Sequence, residues 1–372
     1  MKILVTGANG FIGKNLCLRL RELKCFEIIP FTREQSFAEL SALLPTVNCV
    51  FHLAGVNRSD NEIDFQTGNA DLTERICHEV RKSSRNIPIV YTSSIQATQT
   101  NSYGLSKLKA EEALLDLHRI NGASIHIFRL TNVFGKWARP NYNSVVATFC
   151  HNIARDLPIR IDDPNAEITI VYIDDVVNAF LECLNVHNNG ILFPSVQPEY
   201  KVTVGSLAKV FTTFKKGRET LVSEQVGEGL YRKLYSTYVS YLPSDRFSYQ
   251  IPKHSDKRGV FVEMLKTKDS GQFSYFTAHP GVSRGGHYHH TKTEKFLVVK
   301  GRARFTFRHI ITNDYFELST SDEIPEIVET VPGWAHEVTN IGDQEMIVMI
   351  WANEIFQKEQ PDTVAYSVSP EI

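Results

Sequence analysis

The sequence predicts two folds in one chain: a doubly wound parallel α/β sheet, followed by an all-β barrel. In the first half, apolar runs of strand length alternate with amphipathic stretches of helical length, which is typical of a parallel sheet covered on both faces. From about residue 245, short strands follow one another, separated by glycine and proline, as in an all-β barrel. The chain of 372 residues is also long for a single hydrophobic core. We therefore predict two domains, 1–243 and 244–372.

Composition and charge exclude several classes of function. The 40 basic and 42 acidic residues nearly cancel, whereas a protein that binds nucleic acid shows a basic excess. No apolar run reaches the roughly 20 residues that a transmembrane helix needs, so we expect no membrane insertion. The six cysteines follow neither a disulfide framework nor a CxxC pattern, and Met1 leads directly into a strand-like run rather than a secretory leader. These features predict a cytoplasmic protein.

A glycine-rich turn follows the first predicted strand and begins the first helix. Gly7 permits a tight turn, Gly10 lets the backbone approach a pyrophosphate, and Gly13 allows the helix to pack closely on the strand. The pyrophosphate would lie at the helix N-terminus, where N–H groups lack partners. The turn thus predicts a Rossmann-type dinucleotide site, with contacts from Gly7, Gly10, Phe11, Ile12 and Gly13.

The end of the second strand indicates which dinucleotide binds. An NAD enzyme usually offers an acidic side chain there to the ribose hydroxyls. Here the strand Glu27–Phe31 is followed by Thr32 and Arg33. A guanidinium suits the additional phosphate of NADPH. We therefore predict NADPH, with an ordinary surface arginine as the alternative.

A tyrosine and a lysine four residues apart indicate carbonyl reduction. Tyr103 and Lys107 lie in a predicted helix, where positions i and i+4 share a face. A neighbouring ammonium lowers the pKa of a phenol, which suits proton donation to a carbonyl that is being reduced. Upstream, Ser93 and Ser94 end a predicted strand and offer a hydroxyl to the same oxygen.

These motifs resemble the extended short-chain dehydrogenase/reductase family over roughly residues 1 to 240. Further matches lie at 52–55, 129–135 and 171–176. The resemblance implies that Tyr103 is the acid and Lys107 its partner. It assigns the hydroxyl donor to Ser94, with Ser93 as the alternative. It also implies cofactor contacts from Leu53, Ala54 and Gly55, and nucleotide-sugar contacts from Asn132 and Asn143, for which a core or loop-capping role is the alternative.

In the C-terminal part, three histidines and a glutamate have the spacing of metal ligands. His287 and His289 alternate along one predicted strand, so both point to the same face. Glu294 follows on the next stretch, and His336 lies in a second motif farther on. The spacing resembles the two motifs of the cupin family. Three imidazoles and a carboxylate can hold a divalent metal, and we predict zinc, with a metal-free barrel as the alternative.

Neighbouring residues complicate the role of the first histidine. The segments 256–263 and 283–287 resemble the metal-free cupin epimerases of 4-ketosugar nucleotides, in which the corresponding histidine is the general base. His287 is therefore claimed both as a ligand and as a base, and we favour the ligand. Arg258 and Arg284 are candidates for binding a diphosphate. His290 and Lys292 are expected to point outward or to lie at the rim.

The whole chain resembles the bifunctional capsular-polysaccharide enzymes of the CapF type, which belong to the UDP-N-acetyl-L-fucosamine route. The resemblance implies a homodimer whose substrate is a UDP-linked 4-keto-6-deoxy amino sugar. The barrel would epimerise C3, and the reductase would then reduce the C4 ketone with NADPH to a UDP-2-acetamido-2,6-dideoxy-talose. One alternative is a 4-ketosugar reductase whose barrel only binds or dimerises. Another is a dinucleotide sensor without catalysis.

Overall fold

The computed structural model describes residues 1–185, 190–252, 254–256, 259–261, 264–267, 271–354 and 359–369. The α-helices are α1 (Phe11–Glu22), α2 (Phe37–Leu43), α3 (Glu62–Phe65), α4 (Leu72–Lys82), α5 (Ser102–Asn121), α6 (Val145–Ala154), α7 (Ile173–Glu182), α8 (Val204–Thr220) and α9 (Gly229–Ser240). No helix in these ranges is long and apolar enough to cross a membrane.

The strands of the first 203 residues are β1 (Lys2–Thr6), β2 (Glu27–Phe31), β3 (Cys49–His52), β4 (Ile89–Ser94), β5 (Ile125–Leu130), β6 (Asn132–Phe134), β7 (Glu167–Tyr172), β8 (Ile191–Leu192) and β9 (Glu199–Thr203). Those that follow are β10 (Val222–Ser223), β11 (Ser248–Gln250), β12 (His254–Asp256), β13 (Gly259–Phe261), β14 (Lys266–Thr267), β15 (Gln272–Ala278), β16 (Ser283–Tyr288), β17 (Glu294–Lys300), β18 (Arg302–His309), β19 (Tyr315–Ser321), β20 (Glu326–Glu329), β21 (Trp334–Asn340), β22 (Met346–Ala352) and β23 (Val364–Ala365).

The chain forms two compact units. The first comprises residues 1–134, 141–144 and 167–202, and the second comprises 135–140, 145–166 and 203–372. Helices α6, α8 and α9 thus group with the C-terminal strands. The two compact units are defined by contacts within the chain, and they do not follow the predicted domain boundary at 243/244. That boundary stays a prediction.

A six-stranded parallel sheet organises the first unit, in the order β2-β1-β3-β4-β5-β8. This confirms the predicted doubly wound α/β fold. Strands β3 and β4 are buried along their whole length, as expected of strands covered on both faces. On one face Phe180 of α7 packs against Phe51 and Phe128, while α4 and α5 contribute to the core on the other.

The strand order also explains where a site can form. The chain runs from β1 outward to β2, then returns to place β3 on the other side of β1. At such a switch point, the carboxyl ends of adjacent parallel strands border a crevice. The glycine turn follows β1, Leu53 follows β3, and Ser94 ends β4. The sheet therefore brings these three segments to one edge.

Antiparallel strands dominate the second unit, which confirms the predicted all-β C-terminal region. One five-stranded sheet has the order β11-β20-β17-β22-β15, and another has the order β19-β18-β21-β16-β23. Side chains of the two sheets pack together, as where Phe296 of β17 contacts Phe305 of β18 with ring centroids 5.6 Å apart. Phe247, which is fully buried, contacts Phe307 and Trp334 edge to face.

Within this unit, buried charges join helix α8 to the strands. The carboxylate of Glu329 binds both Arg218 of α8 and Lys295 of β17. The Lys295 ammonium also donates to the Tyr249 hydroxyl over 3.1 Å. Because both cations share one buried carboxylate, removing Glu329 would leave two like charges together.

Candidate active sites

The glycine turn has the backbone that close approach of a ligand requires. Gly7 has φ +67°, and a Cβ there would lie 2.7 Å from the Ala54 nitrogen. A Cβ on Gly13 would lie 2.2 Å from the Gly7 carbonyl oxygen, so only glycine lets α1 begin this close to β1. Gly10 is the N-cap of α1, and Phe11, Ile12 and Gly13 form its first turn, whose N–H groups have no intrahelical acceptor. The turn can bind an anion.

The neighbouring strand end is fixed to this turn by a threonine. The Thr6 hydroxyl accepts hydrogen bonds from the backbone nitrogens of Leu53 and Ala54, each over 3.2 Å. It also lies 2.8 Å from the Nδ1 atom of the buried His52. The structure thus brings Leu53 and Ala54, as predicted, beside the glycine turn.

Gly55 lies against the lysine of the predicted catalytic pair. A Cβ at this position would lie 2.7 Å from the Asn69 Oδ1 atom and 3.4 Å from the Lys107 ammonium nitrogen. Asn69 itself binds both backbone polar groups of Val56 and the Ser106 hydroxyl. No sequence motif points to Asn69, since an asparagine within a helical stretch gives no signal by itself.

The Lys107 ammonium is buried and does not point at its helical neighbour Tyr103. It donates to the Thr92 carbonyl oxygen over 2.8 Å and to the Tyr91 hydroxyl over 3.2 Å. Burial lowers the pKa of Lys107 to about 8, although the nearby Glu111 carboxylate acts in the opposite direction. The lysine is therefore held at the edge of the sheet by strand β4.

The environment of Tyr103 corrects one expectation. The i, i+4 spacing predicts that the lysine lowers the pKa of the phenol. Burial instead raises the pKa of Tyr103, and a hydrogen bond with Ser94 opposes that rise only in part. The expectation failed because the ammonium is engaged by Tyr91 and Thr92. A protonated phenol is still the form that can donate a proton to a carbonyl oxygen.

The two candidate serines differ in their partners. Ser94 interacts with Tyr103 and begins the turn after β4, where its hydroxyl also accepts from the Gln96 nitrogen over 3.2 Å. Ser93 instead donates to the buried carboxylate of Glu111. Arg129 binds both oxygens of the same carboxylate, over 3.0 and 2.6 Å. The geometry therefore favours Ser94 as the residue beside the phenol.

The other predicted contacts in this unit lie on the surface. Arg33 is exposed in the turn after β2, where an extended dinucleotide could reach it. Asn132 is exposed and donates to the Thr169 carbonyl oxygen over 3.0 Å. Asn143 is exposed and donates to the Asn57 carbonyl oxygen over 3.4 Å. Each asparagine thus has a local structural partner besides any role toward a substrate.

The C-terminal unit brings the four predicted metal ligands together. One potential ligand atom from each of His287, His289, Glu294 and His336 lies within 4.8 Å of all the others. His287 and His336 are cross-strand partners on β16 and β21, beyond a bulge at Gly285. A Cβ on Gly285, which has φ +116°, would lie 2.7 Å from the His336 carbonyl oxygen. The bulge therefore depends on glycine.

The chemistry of this cluster fits a divalent cation. The Nδ1 atom of His289 lies 2.6 Å from the Asp362 carbonyl oxygen, so it carries the proton. The Nε2 atom of His289 then faces the Glu294 Oε2 atom 3.2 Å away, so a divalent cation could bind both atoms. Burial first, and then the other imidazoles, lower the pKa of His287 to about 3. His287 is therefore neutral at pH 7, the form that binds metals.

The structure corrects the placement of Lys292. It was expected to point outward or lie at the rim, but its side chain is only 9% exposed and its ammonium lies 3.1 Å from the Glu294 Oε1 atom. Sequence periodicity gives no signal here, because Lys292 lies in the turn before β17 and not in the strand itself.

A carboxylate far along the chain holds the turn before Glu294. The side chain of Asp362 accepts hydrogen bonds from the backbone nitrogens of His290, Thr291 and Lys292, over 2.8, 2.6 and 2.7 Å. The neighbouring His290 ring and these backbone hydrogen bonds outweigh burial and hold the pKa of Asp362 well below its usual range. No sequence motif points to Asp362, since only folding brings this residue to the turn.

Of the two arginines proposed for a diphosphate, only one lies in the described ranges. Arg284 is exposed on β16, donates to the Thr277 carbonyl oxygen over 3.0 Å, and lies over the Phe276 ring. Arg258 lies outside the described residues, as does much of the epimerase-like segment 256–263.

Comparison with known proteins identifies both parts of the chain. Residues 3–192 match the NAD dependent epimerase/dehydratase family, and residues 254–364 match the polysaccharide biosynthesis C-terminal domain. The chain is 58% identical over 99% of both lengths to the UDP-2-acetamido-2,6-beta-L-arabino-hexul-4-ose reductase of Pseudomonas aeruginosa.

Solved structures agree with this assignment. The capsular polysaccharide assembling protein CapF of Staphylococcus aureus is 38% identical, with a TM-score of 0.67 over 99% of this chain and 100% of that one. The UDP-glucuronic acid 4-epimerase of Bacillus cereus shares the fold at 19% identity, with a TM-score of 0.52 over 59% of this chain and 84% of its own. The chain therefore belongs to the NAD dependent epimerase/dehydratase family, and within it to the CapF-type enzymes of polysaccharide biosynthesis, which use a nicotinamide cofactor.

Proposed function

We propose that the chain epimerises C3 of a UDP-4-keto-6-deoxy-N-acetylhexosamine in its C-terminal unit and reduces the C4 ketone with NADPH in its N-terminal unit. The product would be a UDP-2-acetamido-2,6-dideoxy-talose for the UDP-N-acetyl-L-fucosamine route. The pairing of Tyr103 with Ser94, next to a buried Lys107 and the glycine turn, carries the reduction half. The relative in Pseudomonas aeruginosa is named as a reductase of such a 4-ketosugar.

In the reduction, the protein residues bind the carbonyl and supply one proton. NADPH, when bound, would supply the hydride for C4. Ser94 and Tyr103 donate hydrogen bonds to the ketone oxygen, and the proton of Tyr103 passes to that oxygen as it becomes a hydroxyl. The buried Lys107 ammonium, held by Tyr91 and Thr92, would place a positive charge at the same edge of the sheet, where negative charge develops on the ketone oxygen. The ketone is reduced to an alcohol and the cofactor is oxidised.

Epimerisation needs no oxidant, because it only moves a proton. The hydrogen on C3 is acidic since it adjoins the C4 carbonyl, and its removal gives an enolate. Return of a proton to the opposite face inverts C3. A divalent metal held by His287, His289, Glu294 and His336, which we propose to be zinc, would supply a Lewis acid that favours the enolate. With His287 as a ligand, another group serves as the base.

The cluster geometry and one relative support the metal. A Staphylococcus CapF structure was solved with the inhibitor 3-isopropenyl-tropolone. A tropolone presents adjacent carbonyl and hydroxyl oxygens, which chelate divalent metals.

The exposed Arg33 supports NADPH, since its guanidinium can meet the additional phosphate. We also propose that the protein is a homodimer in solution. Light scattering would measure the mass of that dimer.

Two variants separate the two halves. Tyr103→Phe should lower NADPH oxidation by about 10²- to 10⁴-fold, because the proton donor is lost. The same variant should keep the exchange of the C3 hydrogen in deuterated water, measured by NMR. His336→Ala should lose that exchange and the metal found by elemental analysis, while keeping NADPH oxidation on a substrate already inverted at C3.

Tyr315→Phe, at a tyrosine that is 49% exposed on β19, is the matched control and should leave both activities unchanged. If wild-type protein shows no C3 exchange, the C-terminal unit is a binding or dimerising module. If Tyr103→Phe stops exchange in a protein with an unchanged melting temperature, the division of labour is wrong.

A further inference from the structure

We propose that Lys292 is a positioning residue of the metal site, which keeps one oxygen of Glu294 away from the metal so that a coordination position stays open for the substrate. This inference rests on the metal and epimerase parts of the proposed function. It concerns a residue that the sequence pattern had placed at the rim.

The two oxygens of the Glu294 carboxylate have different partners. Oε2 lies 3.2 Å from the Nε2 atom of His289 and 3.4 Å from that of His336, so it faces the ligand cluster. Oε1 lies 3.1 Å from the Lys292 ammonium nitrogen. A charge-assisted hydrogen bond at this distance draws Oε1 toward the ammonium and favours Oε2 as the oxygen that binds a metal.

Lys292 is held in this position at both ends. Its backbone nitrogen donates to the Asp362 carboxylate over 2.7 Å, and its ammonium lies 3.4 Å from the Thr363 hydroxyl. The side chain is 9% exposed. Because a lysine ammonium is strongly hydrated and is rarely buried without a partner, this placement indicates a specific use of the charge.

The consequence concerns coordination number. A carboxylate with both oxygens available can bind a metal through both, which fills one more position. A catalytic site needs a position for water or substrate, and hydrogen-bonding partners of the ligands set how those ligands bind. With Lys292 on Oε1, Glu294 contributes one oxygen, and the three imidazoles complete a four-ligand set.

Cobalt(II) provides a test that does not depend on turnover. Apo-protein would be loaded with Co²⁺, whose visible absorption weakens as its coordination number rises. In Lys292→Met, we expect the Co²⁺ absorption to be weaker and shifted. Its Co²⁺ affinity, measured by chelator competition, should be at least equal to that of the wild type. The exchange of the C3 hydrogen should fall about 10- to 100-fold. Lys292→Arg should restore the wild-type spectrum, because it keeps the charge and the donors.

Lys300→Met, at an exposed lysine at the end of β17, is the control and should match the wild type in all three measurements. An unchanged spectrum in Lys292→Met would overturn the inference, even if exchange is lost. Loss of Co²⁺ affinity together with a lower melting temperature would also overturn it, since the role would then be structural. If wild-type protein binds no Co²⁺, the proposed metal site itself fails, which is distinct from either result.

Discussion

Adjacent serines on β4 have hydroxyl groups with different partners. Ser94 interacts with the Tyr103 phenol, whereas Ser93 binds Glu111. Adjacent residues on a strand point to opposite faces, so only one of the pair can face the crevice at the strand end. The sequence could place a serine beside the phenol, but it could not say which one.

This difference predicts separate effects of two alanine variants. Ser94→Ala should lower kcat for ketone reduction about 10- to 100-fold, because a hydrogen bond to the reacting oxygen is lost. Ser93→Ala should leave kcat near the wild-type value and lower the free energy of unfolding by about 1 kcal/mol. Steady-state kinetics and chemical denaturation measure the two effects. The opposite pattern would assign the hydroxyl donor to Ser93.

The pKa of Lys107 predicts how reduction depends on pH. Burial lowers this pKa to about 8, so the ammonium is charged below pH 8 and loses its charge as the pH rises through that value. Reduction should therefore fall above pH 8 in a pH profile of kcat/KM. Lys107→Arg should remove this decline, because a guanidinium stays charged. Lys109→Arg, at an exposed position of the same helix, is the control and should keep the wild-type pH profile. If activity still declines above pH 8 in Lys107→Arg, a group other than Lys107 causes the decline.

At the scale of elements, the sequence predicted which segments are helices or strands, and their order, better than it predicted which elements pack together. Strand–helix alternation and the glycine turn predicted the parallel sheet, because the periodicity of apolar residues and the residues of a turn are local properties of the sequence. The proposed metal ligands also follow from a local pattern, since His287 and His289 alternate along one strand. Asp362 and Glu111 were missed because their partners lie far away in sequence and only the packing of elements brings them together.

The bulge in β16 is an element-scale feature with its own prediction. Gly285→Ala should lower the bound metal and the C3 exchange, because a Cβ would lie 2.7 Å from the His336 carbonyl oxygen and displace β16 from β21. Gly281→Ala is a matched control, since Gly281 also has a positive φ but its Cβ would meet no described atom within 4 Å. It should cost only about 1 kcal/mol of stability. Equal metal content in the two variants, measured by elemental analysis, would contradict this role of the bulge.

At the scale of the whole molecule, each unit holds one group of predicted reactive residues. The residues proposed for reduction lie in the first unit, and the proposed metal ligands lie in the second. The sequence predicted this separation from two motifs. It did not predict that α6, α8 and α9 group with the C-terminal strands, because amphipathic periodicity shows that a helix has a buried face and not what covers it.

The pairing of β23 with β16 has a consequence for the order in which the two parts of the chain fold during translation. The short strand β23 aligns Ala365 with His287, and Asp362, just before it, binds the turn that precedes Glu294. A nascent chain that has emerged only as far as β22 carries all four proposed ligands but neither of these supports. Domains fold largely as they leave the ribosome, so the dinucleotide fold can form while the ribosome is still adding residues. The proposed metal site would gain these two supports only after residues near 365 have left the exit tunnel.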